Sequence, residues 1–257
     1  MPGLPLHPLF PSRLTPDLAH VEVVGFEIGP PVGPLAEATL APEERARAAR
    51  FVFDRDRTRF VNARAGLRAV LGICLGVEPA SVGLSYEPRG KPILEVAHPP
   101  LRFNLSHSGD RALVAVALGR EVGIDIELIR WIDHAGLARA FFSPGERAAL
   151  ERGSENERHA AFYRCWVAKE SYLKARGDGL TSSLDAFEVD VTTRSGGLRW
   201  STLEEQPHRW RIEQLDLGDG YAGAVTSEVG DWFVRHWEGG VEQMLRNGNA
   251  FPSASRC

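Results

Sequence analysis

The sequence is poor in cysteine and methionine and has no long apolar run. Its 257 residues include three cysteines, Cys74, Cys165 and Cys257, and none of them belongs to a C-x-x-C pair. A disulfide framework or a thiolate metal site is therefore not expected, and a reducing compartment fits better. No stretch approaches the ~20 apolar residues that cross a bilayer, and the first residues lack the pattern of a signal peptide. We expect a cytoplasmic protein that is not inserted in a membrane.

The chain also lacks a strong excess of either charge. It has 30 Lys and Arg against 34 Asp and Glu, a formal net charge of −4, which argues against a general nucleic-acid binder. Eight arginines between residues 45 and 68 still leave room for a local anion pocket. With 43% hydrophobic and 25% charged residues, the composition is that of a globular protein with one large or two small domains.

The two ends of the chain differ in composition from its body. Residues 1–19 contain five prolines, which predicts an extended arm. Residues 239–257 are rich in Gly, Asn and Ser, which predicts a flexible tail.

Hydrophobic periodicity in the body predicts both strands and helices. The predicted strands are His20–Ile28, Val82–Tyr86, Leu101–Leu105, Ala112–Ala117 and Gly123–Glu127. The predicted helices run from Pro42 to about Phe53, from about Arg57 to Leu71, from Pro144 onward, and over Phe162–Lys174.

The second half repeats the order of the first. Ser143-Pro144-Gly145-Glu146 is a capping box with proline in the first helical turn, and Pro42-Glu43-Glu44 has the same place 102 residues earlier. We therefore predict an α+β fold of two similar α/β halves, residues 20–122 and 123–238. The halves are expected to pack face to face, with a site between them.

The segment Val122–Glu127 alternates apolar and polar residues, as a half-buried strand does. Asp125 and Glu127 then lie on one face. Two neighbouring carboxylates repel each other, so they need a cation, a proton or nearby arginines. Oxygen ligands with room for water suit Mg²⁺. A solvated strand face is the alternative, and this segment alone favours it.

Phe162–Lys174 is typical of a helix, on which Trp166, Glu170 and Lys174 form one stripe. Glu170 could add an oxygen ligand or act as a base, and Lys174 could hold a phosphate. The alternative is an ordinary surface Glu–Lys pair worth ~0.3–0.5 kcal/mol. The aromatic neighbours argue against a freely exposed stripe.

Two further segments, Arg102–Gly109 and Pro88–Pro92, suggest anion binding. Adjacent strand residues point to opposite faces, so Ser106 and His107 are not expected to form a nucleophile–base pair, and no G-x-S-x-G elbow is present. A turn whose hydroxyls, imidazole and backbone N–H groups meet an anion fits better. In Pro88–Pro92, Gly90 permits a ligand to approach the backbone closely, and the two cations beside it, Arg89 and Lys91, could hold phosphates. A solvated turn is the ordinary alternative for each segment.

In combination and in this order, the segments resemble the 4′-phosphopantetheinyl transferases. The motifs are Gly90-Lys91-Pro92, Asn104-Leu105-Ser106-His107-Ser108, Gly123-Ile124-Asp125-Ile126-Glu127 and Trp166-Val167-Ala168-Lys169-Glu170-Ser171-Tyr172-Leu173-Lys174. The resemblance is to the larger single-chain class that activates peptide and polyketide synthases. It extends from about Pro42 to Val191.

The resemblance implies a pseudo-twofold monomer with coenzyme A in the cleft between the halves. Such enzymes transfer the phosphopantetheine arm of coenzyme A to a serine of an acyl or peptidyl carrier protein and release adenosine 3′,5′-bisphosphate. The implied cofactor is Mg²⁺, and the implied partners are coenzyme A and the carrier protein, without nucleic acid or membrane.

The same resemblance implies roles for individual residues. The implied metal ligands are Asp125, Glu127 and Glu170, and Glu170 is also the implied base for the carrier serine. Lys174 and His107 are the implied catalytic contacts to the pyrophosphate. The implied coenzyme-binding residues are Arg47, Arg89, Gly90, Lys91, Asn104, Ser106, His107 and Lys174, with Arg47 at the 3′-phosphate.

The sequence departs from some relatives around the implied 3′-phosphate pocket. Those relatives have a lysine at the position of Glu44 and a hydroxyl residue at that of Phe60. The match to the family at this pocket is therefore incomplete.

Two other functions remain alternatives: a non-catalytic coenzyme A or nucleotide-binding regulator, and a carrier-docking scaffold. The presence of Glu170 and Lys174 argues against a pure binder, since binding needs no base. We expect one of Phe141 and Phe142 to belong to the core and the other to be exposed for contact with the carrier. Release of adenosine bisphosphate in the presence of a carrier would distinguish the enzyme from both alternatives.

Overall fold

The elements of the fold are described from a computed structural model. It describes residues 9–87, 90–95, 100–152, 154–177, 182–190, 193–203, 206–218 and 220–251. Within these ranges the chain forms seven α-helices and eleven β-strands. None of the helices in the described part of the chain is both long and apolar enough to span a bilayer.

Each half of the chain has the order of one strand, three helices and four strands. The elements of the first half are β1 (His20–Glu27), α1 (Pro34–Thr39), α2 (Pro42–Ala48), α3 (Asp54–Leu75), β2 (Leu84–Tyr86), β3 (Pro92–Leu94), β4 (Leu101–Ser108) and β5 (Arg111–Leu118). Those of the second half are β6 (Val122–Leu128), α4 (His134–Phe141), α5 (Pro144–Leu150), α6 (Glu155–Arg176), β7 (Phe187–Val189), β8 (Ser195–Ser201), β9 (Trp210–Leu215) and β10 (Tyr221–Glu228). The chain then adds β11 (Phe233–Glu238) and α7 (Val241–Gly248).

The strands form two larger sheets and a hairpin. One sheet has the order β11-β1-β5-β4, the other β6-β10-β9-β8-β7, and β2 pairs with β3. The antiparallel series β1-β5-β4 has its counterpart in β6-β10-β9. This arrangement confirms the predicted α+β class, with the same antiparallel series of three strands in both halves.

A buried ion pair recurs at the same place in each half. Glu44, the third residue of α2, accepts a 2.7 Å hydrogen bond from Arg68 Nε on α3. Glu146, the third residue of α5, accepts a 2.5 Å bond from Lys169 Nζ on α6. Each cation also donates to a backbone carbonyl beyond its helix. The pair ties each short helix to its long neighbour, and its repetition supports an internal duplication.

The predicted helix from Pro42 to Phe53 is shorter in the structure. It ends at Ala48, and α3 begins at Asp54 rather than at Arg57. Asp54 and Asp56 explain the earlier start, because acidic residues in the first turn stabilise a helix N-terminus.

The C-terminal segment returns to the first half. β11 pairs in parallel with β1, so it belongs to the first sheet although the predicted boundary at 238 assigned it to the second half. The predicted flexible tail is wrong for α7, which buries Val241, Met244 and Leu245. Their i, i+3, i+4 spacing forms an apolar stripe that packs beside α3, and this packing outweighs the polar composition. Residues 252–257 lie outside the described residues.

The described part of the predicted N-terminal arm contains no helix. It contacts the first sheet through an isolated bridge between Leu9 and Glu238. Phe10 and Leu14 are buried, so this part contributes to the core of the first half.

Side chains rather than backbone pairing join the two sheets along one edge. Asn104, Ser106 and Ser108 of β4 accept hydrogen bonds from alternate backbone N–H groups of β6, at 2.9, 3.4 and 3.1 Å. These N–H groups lie on the edge of the second sheet and need acceptors. An apolar cluster behind them, with residues from both sheets, fills the space between the halves. We call the contact between β4 and β6 the seam.

Gly123 lets α6 lie directly on β6. A Cβ atom at Gly123 would lie 2.1 Å from the Ser171 carbonyl oxygen and 2.3 Å from the Ala175 nitrogen. Both are backbone atoms, so the helix itself would have to move.

Replacing Gly123 by alanine should therefore lower the free energy of unfolding by about 1–3 kcal/mol, as overpacking does. Chemical denaturation measures the change. Gly230→Ala is the matched control, since its nearest neighbour at 3.3 Å is the mobile end of the Arg120 side chain. Equal effects of the two substitutions would contradict a special role for Gly123.

Candidate active site at the seam

Acidic side chains of β6 and α6 meet at the seam, beside β4. Lys174 Nζ donates to Asp125 Oδ1 at 2.6 Å and to Ser106 Oγ at 2.9 Å. Asp125 is buried, on the opposite strand face from Ile124, so the predicted alternation of β6 is confirmed. Glu170 lies one helical turn before Lys174 on α6 and is also buried. The structure thus brings residues of three of the four predicted motifs together.

Serine hydroxyls of β4 orient the carboxylates of β6. Ser106 Oγ donates to Asp125 Oδ1 at 2.9 Å, and Ser108 Oγ donates to Glu127 Oε2 at 2.7 Å. Sequence reasoning did not assign a role to Ser108. Its signal was the two-residue spacing from Ser106, which matches the spacing of the two carboxylates.

The carboxylates are held in an unfavourable environment. Desolvation, followed by the negative charges of Asp125 and Glu127, raises the pKa of Glu170. Desolvation also raises the pKa of Glu127, although the hydrogen bond from Ser108 opposes that shift. Asp125 Oδ2 is buried and has no hydrogen-bond partner. A cation at this place would relieve both the repulsion and the unsatisfied oxygen.

The chemistry of these side chains fits a hard metal ion. Carboxylate oxygens are the ligands that Mg²⁺ prefers, usually together with water and substrate phosphate oxygens. In the described ranges, no three His, Cys, Asp or Glu side chains are already arranged as a metal-binding group. Lys174 and Ser106 both donate to Asp125 Oδ1, so Oδ2 is the oxygen without a hydrogen-bond partner. A metal would thus need ligands from a bound substrate as well.

His107 lies on the first-half side of the site. Desolvation, followed by the positive charges of Lys174 and of nearby arginines, lowers its pKa. Its ring is still exposed to solvent at the surface of the cleft. The Ser106 hydroxyl bonds to Asp125, Lys174 and a β6 N–H group, so it is not paired with His107. This agrees with the expectation that the site is not a serine hydrolase.

Arg64 is a candidate binding residue that sequence reasoning did not single out. Its Nη1 atom is buried without a hydrogen-bond partner. Its guanidinium lies 5.6 Å from the centre of the Phe60 ring, and that of Arg47 lies 5.1 Å from the same ring. Phe60 therefore holds two cations near His107. The i, i+4 spacing of Phe60 and Arg64 on α3 was the available signal.

Glu44 has a structural role in this chain. Its carboxylate is buried in the ion pair with Arg68 and also accepts a 3.3 Å hydrogen bond from the Tyr86 hydroxyl. It is therefore turned away from any anion. Arg64 lies beside this group, within electrostatic reach of Glu44 and Tyr86.

The other predicted coenzyme-binding residues surround the seam. Lys91 Nζ donates to the Lys174 carbonyl oxygen at 2.8 Å, near the C-terminal end of α6. Gly90 has a φ of 84° and open space where a Cβ would lie, as expected for close backbone approach. Asn104 is buried within the seam itself. Arg89 lies outside the described residues.

Aromatic residues lie beside the site on the second half. Phe141 is 40% exposed and Phe142 is 2% exposed, so the expectation of one surface and one core phenylalanine is confirmed. Trp131, which sequence reasoning missed, is 70% exposed and stacks on His159 at 4.8 Å.

Comparison with known proteins assigns the chain to a family. Residues 121–226 match the model of the 4′-phosphopantetheinyl transferase superfamily, and residues 34–118 match that of the N-terminal part of a 4′-phosphopantetheinyl transferase. The chain is 40% identical over 203 residues to 4′-phosphopantetheinyl transferase HetI of Nostoc sp., covering 78% of this chain and 83% of HetI. The chain belongs to the 4′-phosphopantetheinyl transferase superfamily. The family predicted from the motifs is thereby confirmed.

Other members of the superfamily show similar coverage. The 4′-phosphopantetheinyl transferase Sfp of Bacillus subtilis is 32% identical over 193 residues, covering 75% of this chain and 84% of Sfp. A putative 4′-phosphopantetheinyl transferase of Synechocystis sp. is 34% identical over 210 residues, covering 77% of this chain and 85% of that protein.

The raised pKa of Glu170 predicts how the metal-free protein depends on pH. A carboxylate whose pKa is higher in the folded than in the unfolded state destabilises the fold when ionised. The penalty is full above the folded-state pKa and absent below the ordinary glutamate range. Glu170→Gln should therefore raise the melting temperature at pH 7, and its advantage should shrink as the pH approaches 4.

Thermal unfolding in a metal chelator measures this effect. Glu155→Gln, at the exposed start of the same helix, is the control and should not raise the melting temperature. A lower melting temperature of Glu170→Gln than of wild type at pH 7 would contradict the assignment of a strained carboxylate.

Proposed function

We propose that the protein transfers the 4′-phosphopantetheine group of coenzyme A to a serine of an acyl or peptidyl carrier protein. The product is the holo carrier, and adenosine 3′,5′-bisphosphate is released. The observation that carries this proposal is the cluster of buried Asp125 and Glu170 with half-buried Glu127 and Lys174, at the seam of a chain from this superfamily. A regulator that only binds coenzyme A needs no such cluster, and no observation favours that alternative.

The carboxylates are proposed to bind Mg²⁺. Asp125, Glu127 and Glu170 would hold it, and the unsatisfied Oδ2 of Asp125 supports this assignment. The bound ion would offset negative charge on the phosphate oxygens.

Glu170 is the proposed base for the acceptor. As the serine oxygen forms a bond to the pantetheine-bearing phosphorus, the proton of its hydroxyl goes to the Glu170 carboxylate, directly or through water. The bond between that phosphorus and the bridging oxygen of the pyrophosphate breaks, and the bisphosphate leaves with this oxygen. The raised pKa of Glu170 suits a proton acceptor near neutral pH.

Lys174 and His107 are proposed to contact the pyrophosphate from the two sides of the seam. Lys174 Nζ has three donors, and it holds Asp125 and Ser106 in the free protein. A phosphate oxygen can replace one of these acceptors. Desolvation, followed by the positive charges of Lys174 and nearby arginines, lowers the pKa of His107, and these cations favour an anionic ligand.

The remaining coenzyme contacts are proposed for the first half. Arg47 and Arg64, which share the Phe60 ring, are proposed to bind the 3′-phosphate. The backbone at Gly90, together with Arg89, Lys91, Asn104 and Ser106, is proposed to line the coenzyme site.

The function is tested by the mass shift of carrier proteins incubated with coenzyme A and Mg²⁺, together with release of the bisphosphate. Glu170→Gln should keep most of its coenzyme affinity and lose turnover by about 10²–10⁴-fold, the usual contribution of a positioned base. Asp125→Ala should lose the Mg²⁺-dependent reaction. Near-normal turnover in Glu170→Gln would exclude it as base, and no mass shift with any carrier would overturn the function.

The proposed role of Arg64 predicts a change in coenzyme discrimination. Arg64→Gln should raise the KM for coenzyme A about tenfold, because a hydrogen bond to a charged group is worth about 1.5–3 kcal/mol. The KM for dephospho-coenzyme A, which lacks the 3′-phosphate, should change little. Arg246→Gln is the control, because the Arg246 side chain lies on the exposed face of α7. An equal increase in the KM for both coenzymes would show that Arg64 does not contact the 3′-phosphate.

A further inference from the structure

The loop between α2 and α3 exposes three consecutive apolar side chains. Phe51, Val52 and Phe53 are 37%, 88% and 67% exposed, and we call them the 51–53 loop. Apolar side chains that stay in contact with water do not gain the free energy that burial would give. An exposed apolar run of this length therefore points to a binding surface. The reaction residues described above do not account for it.

The 51–53 loop lies on the first-half rim of the active site. The Phe51 ring packs against Phe60 with ring centres 5.3 Å apart, and Phe60 also carries Arg47 and Arg64. Arg59, next to Phe60, forms a 2.7 Å ion pair with Asp110 in the turn that follows His107 and β4. The loop is thus fixed to the same elements that bring His107 to the seam.

The second half has an apolar rim as well. Trp131 and Ile132 are 70% and 37% exposed and follow directly after β6, which carries Asp125 and Glu127. Both halves therefore present apolar side chains where an acceptor must approach the carboxylates.

The charge around the 51–53 loop identifies the kind of partner. Arg47, Arg50 and Arg55 are exposed on either side of the loop, against a net charge of −4 for the whole chain. The carboxylates beside them are Asp54, which is exposed, and Asp56, which pairs with Arg55, so cations are still in excess. A local positive field with an apolar centre complements an acidic surface with an apolar spot. Val52 and Phe53 point into solvent rather than toward Phe60, which leaves them free for a macromolecule.

We infer that the 51–53 loop is a docking surface for the carrier protein, where an apolar spot within an acidic carrier surface contacts Val52 and Phe53. This inference rests on the proposed function. Docking on both rims would hold the acceptor serine over the seam while the coenzyme lies between the halves. The loop then acts on the carrier and not on the coenzyme.

The test is the double variant Val52→Ser/Phe53→Ser. Its KM for the carrier should rise about tenfold, since truncating well-placed apolar contacts costs more than 1 kcal/mol each. Its KM for coenzyme A, its kcat at saturating carrier and its melting temperature should stay at the wild-type values. A carrier whose acceptor serine is replaced by alanine gives the affinity directly, by calorimetric titration, without any reaction.

The chain offers a matched control. Val229→Ser/Phe233→Ser changes one valine and one phenylalanine, as the test variant does. Val229 directly follows β10 and is 57% exposed, and Phe233 begins β11 and is 65% exposed. It should leave carrier affinity unchanged. Arg50→Gln/Arg55→Gln should weaken carrier binding at low salt and reduce its dependence on ionic strength.

Several results would overturn the inference. They are an unchanged carrier affinity of the Val52→Ser/Phe53→Ser variant, an equal loss in the control, or a parallel rise of both KM values, which would assign the loop to the coenzyme. A wild-type protein that binds no carrier also overturns it. A wild-type protein that binds carriers but transfers nothing contradicts the proposed function and leaves the measured docking surface intact.

Discussion

Two strand edges that share no backbone ladder determine the shape of this protein. β4 closes one sheet and β6 begins the other, and the side chains of Asn104, Ser106 and Ser108 take the place of a neighbouring strand. The same two serines also hold the carboxylates of β6. The contact that joins the halves is therefore the contact that arranges the site.

The halves share one plan but differ in charge. Each ties a short helix to a long one through a buried glutamate–cation pair, at Glu44 and Arg68 and again at Glu146 and Lys169. In the second half the residue after the buried lysine is Glu170, so the ion pair fixes the helix turn that faces the seam. The first half contributes arginines, and the second half contributes the three carboxylates together with Lys174. A ligand with both phosphates and a bound cation suits such a cleft.

The arrangement of the site lowers the stability of the free protein. Desolvated carboxylates with raised pKa values, together with an unsatisfied oxygen on Asp125, destabilise the fold in the absence of a neutralising cation. Such strain is common where binding or catalysis requires it. Apolar packing between the sheets supports these groups from behind.

Much of the site could be predicted from the sequence because it depends on local spacing. Strand alternation places Asp125 and Glu127 on one face, and helical spacing aligns Glu170 with Lys174. The repeated proline-led helix starts indicated the two halves, and the motifs in combination identified the family. These features need only residues that are near one another in the chain.

The tertiary structure decided what depends on distant partners. The polar composition of 239–257 predicted a flexible tail, yet the stripe of Val241, Met244 and Leu245 gains burial when it meets α3. Glu44 is part of a buried ion pair because Arg68, 24 residues later in the chain, neutralises it. Arg64 keeps a buried Nη1 atom without a hydrogen-bond partner. The sequence by itself determined which side chains share a face. Only the fold decided which faces meet, since burial and charge pairing depend on residues far apart in the chain.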